Sequence, residues 1–146
     1  MSGVKLIAFD LDGVLIETKE FHFKALNEAL SKKYEISIEE HLSIYDGLKT
    51  TRKLEILTEK KMLPRELHLK IWEDKQKRTL EYFSGIVPDG NLINCLSKLS
   101  EEGYKIACCS NSIRKSVLEV LSRLGIISFF QSIVSNEDVK NGRPHP

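Results

Sequence analysis

A chain of 146 residues with 41% hydrophobic and 29% charged side chains has the make-up of a soluble globular protein, long enough for one ordinary domain or a small core with an insertion. Its 22 basic and 21 acidic residues leave a net charge of +1, which gives no general attraction to nucleic acid or to a membrane surface. No apolar run reaches transmembrane length, and no His or Cys spacing is that of a zinc site.

The first element is the apolar run from Val4 to Phe9, which reads as a buried strand. Too few residues precede it for a signal peptide, so a cytoplasmic protein is the expectation. The run ends in Asp10-Leu11-Asp12-Gly13. Strand alternation sends both carboxylates the same way, and Gly13 permits a sharp turn off the sheet. Two like charges at the end of a buried strand call for a cation, and hard oxygen donors suit Mg²⁺. A calcium loop is excluded: counting from Asp10, Leu15 stands where that loop needs Gly and Phe21 where it needs Glu. A plain solvated Asp-Gly turn is the competing reading. A carboxylate in this setting can also attack a phosphoryl group, and its neighbour can move the proton.

A helix begins at Glu17 or Thr18. Phe21, Ala25, Leu26, Ala29 and Leu30 form its apolar face, with His22 beside that face and Lys32-Lys33 at its end. Ile36 to Asp46 reads as a short helix opened by Ser37 and Glu40 in a capping-box pattern and broken by Gly47. Thr50 or Thr51 caps the next helix, and Pro64 opens a long one running to Ser84-Gly85. Residues 18 to 84 therefore carry helices and no strand pattern.

Asp89 caps a further helix that ends near Gly103. Tyr104 to Cys109 reads as a second buried strand, closed by Ser110-Asn111-Ser112. Of the three cysteines, Cys108 and Cys109 are adjacent within it, and with Cys95 the count is odd, which argues against a disulfide framework. A helix closed by Gly125 follows, then a third strand over Phe129 to Val134, then a polar loop from Asn136 to Pro146 that carries Arg143. The order strand, helical insert, helix, strand, helix, strand predicts an α/β fold: a doubly wound parallel sheet, with residues 1–17 and 85–146 as core and 18–84 as inserted domain. Ligands in such sheets bind at the carboxyl ends of the strands. All three strands end in chemically capable residues.

These residues resemble a known family. Phe9 to Leu15, Ser110-Asn111-Ser112 and Gly142 to Pro146 are similar, in order, to the first three motifs of the haloacid dehalogenase-like phosphohydrolases. The helical insert places the resemblance in the branch that holds phosphoglycolate phosphatase and β-phosphoglucomutase. The resemblance implies a Rossmann-like core with an α-helical cap and Mg²⁺-dependent phosphoryl transfer from a small phosphorylated metabolite. It implies that Asp10 is the nucleophile and Asp12 the general acid and base, and that Asp10 and Asp12 hold Mg²⁺, Asp12 by its carbonyl. It further implies that Gly13, Ser110, Asn111 and Arg143 serve the phosphate, with Arg143 where the family usually has Lys. In the cap it points to His22, Lys49, Thr50, Thr51 and Arg52 as substrate contacts.

The chain departs from the family after the third motif. Two more strands and an acidic fourth motif normally follow there. Their absence leaves the first strand as an open edge, exposed to self-association. A phosphatase, a sugar-phosphate mutase and a shortened, inactive phosphate- or partner-binding relative all stand as readings of the sequence.

Overall fold

A computed structural model describes Gly3 and residues 5–143. Val4, at the start of the expected first strand, and Pro144, His145 and Pro146, at the end of the third motif, lie outside the described residues. The chain divides into two compact units, Met1–Glu17 with Ser84–Pro146, and Thr18–Phe83.

The first unit is a parallel three-stranded sheet in the order β1-β2-β3, formed by β1 (Leu6–Asp10), β2 (Lys105–Cys109) and β3 (Ser132–Val134). The register places Asp10 opposite Cys109 and Cys109 opposite Val134, so the three carboxyl ends lie level. Buried Ile106, Ala107 and Cys108 fill the centre of β2. Burial pushes the Cys108 thiol up to about 12, so that it serves as a small apolar side chain.

Two strand expectations need correction. β1 is not the buried strand that its apolar run alone suggested but the exposed edge expected from the departure after the third motif: Leu6 is 57% exposed and no residue of β1 is buried. Its one strand neighbour among the described residues is β2, and an apolar run does not reveal how many neighbours a strand has. The third strand covers only Ser132–Val134, because Ile127–Phe129 winds into a 3₁₀ turn. The Gln131 side chain then accepts the Ile106 N–H at 2.6 Å, while the Gln131 N–H donates to the Ile106 carbonyl at 2.9 Å. A side chain thus takes a ladder position, and regular pairing starts one residue later, at Ser132 opposite Ala107.

The second unit is helical. α1 (Lys19–Ala29) runs along α4 (His68–Phe83), and α2 (Ile38–Glu40) and α3 (Thr50–Lys61) complete it. Lys32 and Lys33 do not end α1. Leu30 is already extended, and a 3₁₀ turn at Lys32–Tyr34 buries Tyr34. Ser37 and Glu40 form the expected capping box, after which the chain continues as a π-turn over His41–Tyr45. Leu26, Leu30, Tyr45, Leu54, Leu57, Leu63 and Ile71 meet in one apolar core. Among the described residues no helix is long and apolar enough to cross a membrane.

His41 lies in that core with 0% exposure, and neither its ring nitrogens nor the Tyr45 hydroxyl has a hydrogen-bond partner among the described residues. Burial first, and then the Lys53 ammonium, lower its pKa to about 4, against the opposing pull of Asp46. The folded chain therefore refuses a proton that the unfolded chain accepts below about 6.5. Stability from this residue is full above pH 6.5 and falls as the pH drops towards 4. A gap of about 2.5 pH units at about 1.4 kcal/mol each bounds the loss at between about 3 and 4 kcal/mol. Urea unfolding at pH 7 and pH 4.5 should show most of that loss, and His41→Phe should remove most of the difference. An unchanged difference in the variant would refute this.

Candidate active site

The site is built on the level ends of the three strands. At the end of β1 the Asp10 carboxylate accepts the Leu11 N–H at 2.7 Å. The chain then folds back on itself. The Leu11 carbonyl accepts from Val14, Leu15 and Ile16, and the Gly13 N–H donates to the Ile16 carbonyl at 2.7 Å. Gly13 sits at φ +79°, in the left-handed region that glycine reaches at no steric cost. Buried Leu11 and Leu15 pin the turn from below. Asp12, on this turn, accepts the Ser112 hydroxyl at 3.4 Å.

At the end of β2 the Ser110 N–H donates to the Val134 carbonyl, and the Ser110 hydroxyl oxygen accepts the Ser112 N–H at 3.1 Å. That hydroxyl keeps its own proton to donate to an anion. Asn111 uses its carboxamide in both directions on one residue. Its Nδ2 donates to the Arg143 carbonyl at 3.3 Å, and its Oδ1 accepts the Arg143 N–H at 3.0 Å.

Arg143 closes the arrangement. Its Nη1 lies 2.8 Å from Asp10 Oδ2 and its Nη2 3.0 Å from Asp10 Oδ1, a two-pronged contact. The hydrogen bond to Asp10 holds the guanidinium pKa above its ordinary value. With the Arg143 side chain 47% and that of Asp10 35% exposed, solvent screens the pair, and its weight is in geometry more than stability. A planar fork with five donors still has N–H groups to offer a phosphate while two face Asp10. A cavity of about 410 Å³, lined in part by Cys109, Ser110, Asn111 and Arg143, adjoins this cluster. It is large enough for a small organic phosphate.

Asp10, Asp12, Ser110, Asn111 and Arg143 are therefore brought together, with Gly13 in the turn that directly follows Asp12. The other anticipated residues belong to the helical unit. His22 is half-buried, with its Nδ1 3.3 Å from Lys75 Nζ. Lys49 and Thr50 open α3, while Thr51 is exposed. Arg52 faces Glu55 at 3.0 Å and Glu59 at 3.8 Å.

Two residues of this unit were missed from sequence: Lys53 and Lys75, each only 4% exposed. Both stand in the apolar phase of their helices. Lys53 follows Thr50 and precedes Leu54 and Leu57, and Lys75 lies between Ile71, Thr79 and Phe83 on the buried face of α4. A lysine in phase with an apolar stripe was the available signal. Burying an ammonium calls for polar partners, and Lys75 Nζ meets His22 Nδ1 at 3.3 Å.

Comparison with known proteins gives a consistent result. The sequence model of the haloacid dehalogenase-like hydrolase family matches residues 7–146. The chain is 28% identical to pyrophosphatase PpaX of Bacillus pumilus, over 99% of this chain and 65% of that protein. It is 28% identical to phosphoglycolate phosphatase of Vibrio cholerae, over 100% of this chain and 68% of that protein. The chain thus spans about two thirds of the length of these curated relatives. Among solved structures, β-phosphoglucomutase from Clostridium difficile superposes with a TM-score of 0.83 at 25% identity. That match covers 99% of this chain and 67% of the other.

Proposed function

For a chain that belongs to the haloacid dehalogenase-like hydrolase family, we propose phosphatase chemistry on a small phosphorylated metabolite, through an aspartyl phosphate on Asp10. The observation that carries this reading is the Arg143 fork on Asp10 at the level ends of three parallel strands, with Ser110 and Asn111 alongside. Two nearby carboxylates with different partners suit two different tasks.

The Asp10 carboxylate attacks phosphorus and forms a new O–P bond as the bond to the leaving oxygen breaks. Asp12 donates a proton to that oxygen. It then takes a proton from the water that attacks the aspartyl phosphate, which releases phosphate and restores Asp10. The Ser110 hydroxyl and the Asn111 main-chain N–H orient phosphate oxygens, and Arg143 offsets their charge.

Among the described residues no three His, Cys, Asp or Glu side chains gather as metal ligands. Two aspartates fit Mg²⁺ all the same, because that ion takes one or two carboxylates and fills its remaining places with water and substrate phosphate. The Asp10 carboxylate and the Asp12 main-chain carbonyl would hold it. Bound there, it would supply positive charge against the phosphoryl oxygens.

Within the same proposal the helical unit acts as a cap that selects the substrate, with His22, Lys49, Thr50, Thr51 and Arg52 as its contacts. A cytoplasmic site of action and self-association through the open edge of β1 belong to it as well. The similarity to β-phosphoglucomutase favours one second reading, a mutase that returns the phosphoryl group to another position of a sugar.

The test is phosphate release from a panel of small phosphomonoesters and inorganic pyrophosphate, with Mg²⁺ and with a chelator. Release that needs Mg²⁺ is the expected result. A folded chain that releases no phosphate from any member overturns the phosphatase reading, and a sugar phosphate that isomerises without net release points to the mutase.

A further inference from the structure

We propose that the Asn111 side chain is a positioning residue, which fixes the main chain of Arg143 so that its guanidinium meets the phosphate seat; this rests on the phosphatase reading above. The loop from Ser135 to Arg143 has no regular structure. Its beginning is tied firmly. The Asp138 carboxylate accepts the Ser135 N–H at 2.7 Å, the Ser135 hydroxyl at 2.8 Å and Arg114 Nη1 at 3.3 Å. Glu137 accepts the Arg114 N–H at 2.5 Å, and the Asn136 N–H donates to the Ser112 carbonyl at 3.1 Å. From Val139 to Asn141 the loop is exposed. At its far end, Asn111 engages both main-chain hydrogen-bonding groups of Arg143.

A carboxamide is suited to this. It presents one acceptor and one donor side by side, as a neighbouring peptide would. Asp keeps the acceptor and loses the donor, Gln is one methylene too long, and Ala loses both. The chain uses the same device elsewhere: Asn27 donates to the Ile36 carbonyl at 2.8 Å and accepts the Ile36 N–H at 2.9 Å, which secures the segment that follows α1. At Arg143 the consequence is larger, because a long side chain magnifies any rotation at its Cα. A misplacement of about 1 Å at a reacting centre costs on the order of a hundredfold in rate. Asn111 thus has two separable parts: a main-chain N–H beside the phosphate seat, and a side chain committed to Arg143.

The test is a double-mutant cycle on the full chain, read by titration with inorganic phosphate. Asn111→Ala should weaken phosphate binding about tenfold when Arg143 is present and have no further effect in Arg143→Ala. Asn111→Asp should fall between, with the melting temperature reporting that each variant folds. Losses that simply add would overturn the proposal, because Asn111 would then act independently of Arg143. A second readout needs no phosphate chemistry at all. Modification of Arg143 by phenylglyoxal, followed by peptide mass spectrometry, should be several-fold faster in Asn111→Ala. An unchanged labelling rate overturns the clamp even in an active enzyme. Faster labelling in a chain that releases no phosphate supports the clamp and refutes the phosphatase reading separately.

Discussion

Asp10→Asn is expected to lower phosphate release by at least about a thousandfold while leaving the fold intact. The reasoning is chemical and local. An amide oxygen is a poor nucleophile towards phosphorus and carries no charge. The replacement keeps the size of the side chain and an oxygen to accept the Leu11 N–H, which Asp10 accepts at 2.7 Å. It loses the charged contact to Arg143, but that pair is partly solvated and adds little to stability. Circular dichroism and urea unfolding should therefore match the parent chain. Release within about threefold of the parent would mean that Asp10 is not the attacking group.

The second large effect is expected at Arg143. Arg143→Ala should reduce kcat/KM by about a hundredfold to a thousandfold, the usual cost of removing one fixed group that meets developing charge. Arg143→Lys should recover part of this. It restores the positive charge as a single ammonium but not the fork that spans both oxygens of Asp10 at 2.8 and 3.0 Å. A remaining deficit of about tenfold in Lys is the predicted mark of geometry acting beside charge. Full activity in Arg143→Ala would remove this residue from the site. Equal activity in Lys and Arg would assign the whole effect to charge.

Much of this arrangement could be read from the residues because it depends on local rules. Apolar runs closed by Asp10-x-Asp12-Gly13 and by Ser110-Asn111 announced strand ends, and helices between them required parallel crossovers. Level strand ends followed from that topology. Ser37 with Glu40, and Asp89 before Leu92, signalled helix starts that the structure reproduces in detail. The misreadings have a common origin in long-range packing. Phe129 and Phe130 have strand propensity, yet a 3₁₀ turn and the Gln131 side chain claim their place. The run in β1 looked buried by its hydrophobicity alone, and the order of the motifs was what marked it as an edge. Lys53 and Lys75 broke an apolar stripe and were passed over, although their phase held the clue. The clamp of Asn111 on Arg143 joins residues 32 positions apart, beyond the reach of any local pattern.

The most direct measurement of the central claim is to trap the covalent intermediate. The chain would be mixed with a turned-over phosphomonoester and Mg²⁺, quenched in acid within the first turnover, reduced with borohydride and digested for mass spectrometry. Reduction converts an acyl phosphate on aspartate to homoserine. Homoserine at position 10, absent in Asp10→Asn and absent without substrate, is the predicted result. Phosphate release with position 10 unreduced, or homoserine at another aspartate, would contradict an aspartyl phosphate on Asp10.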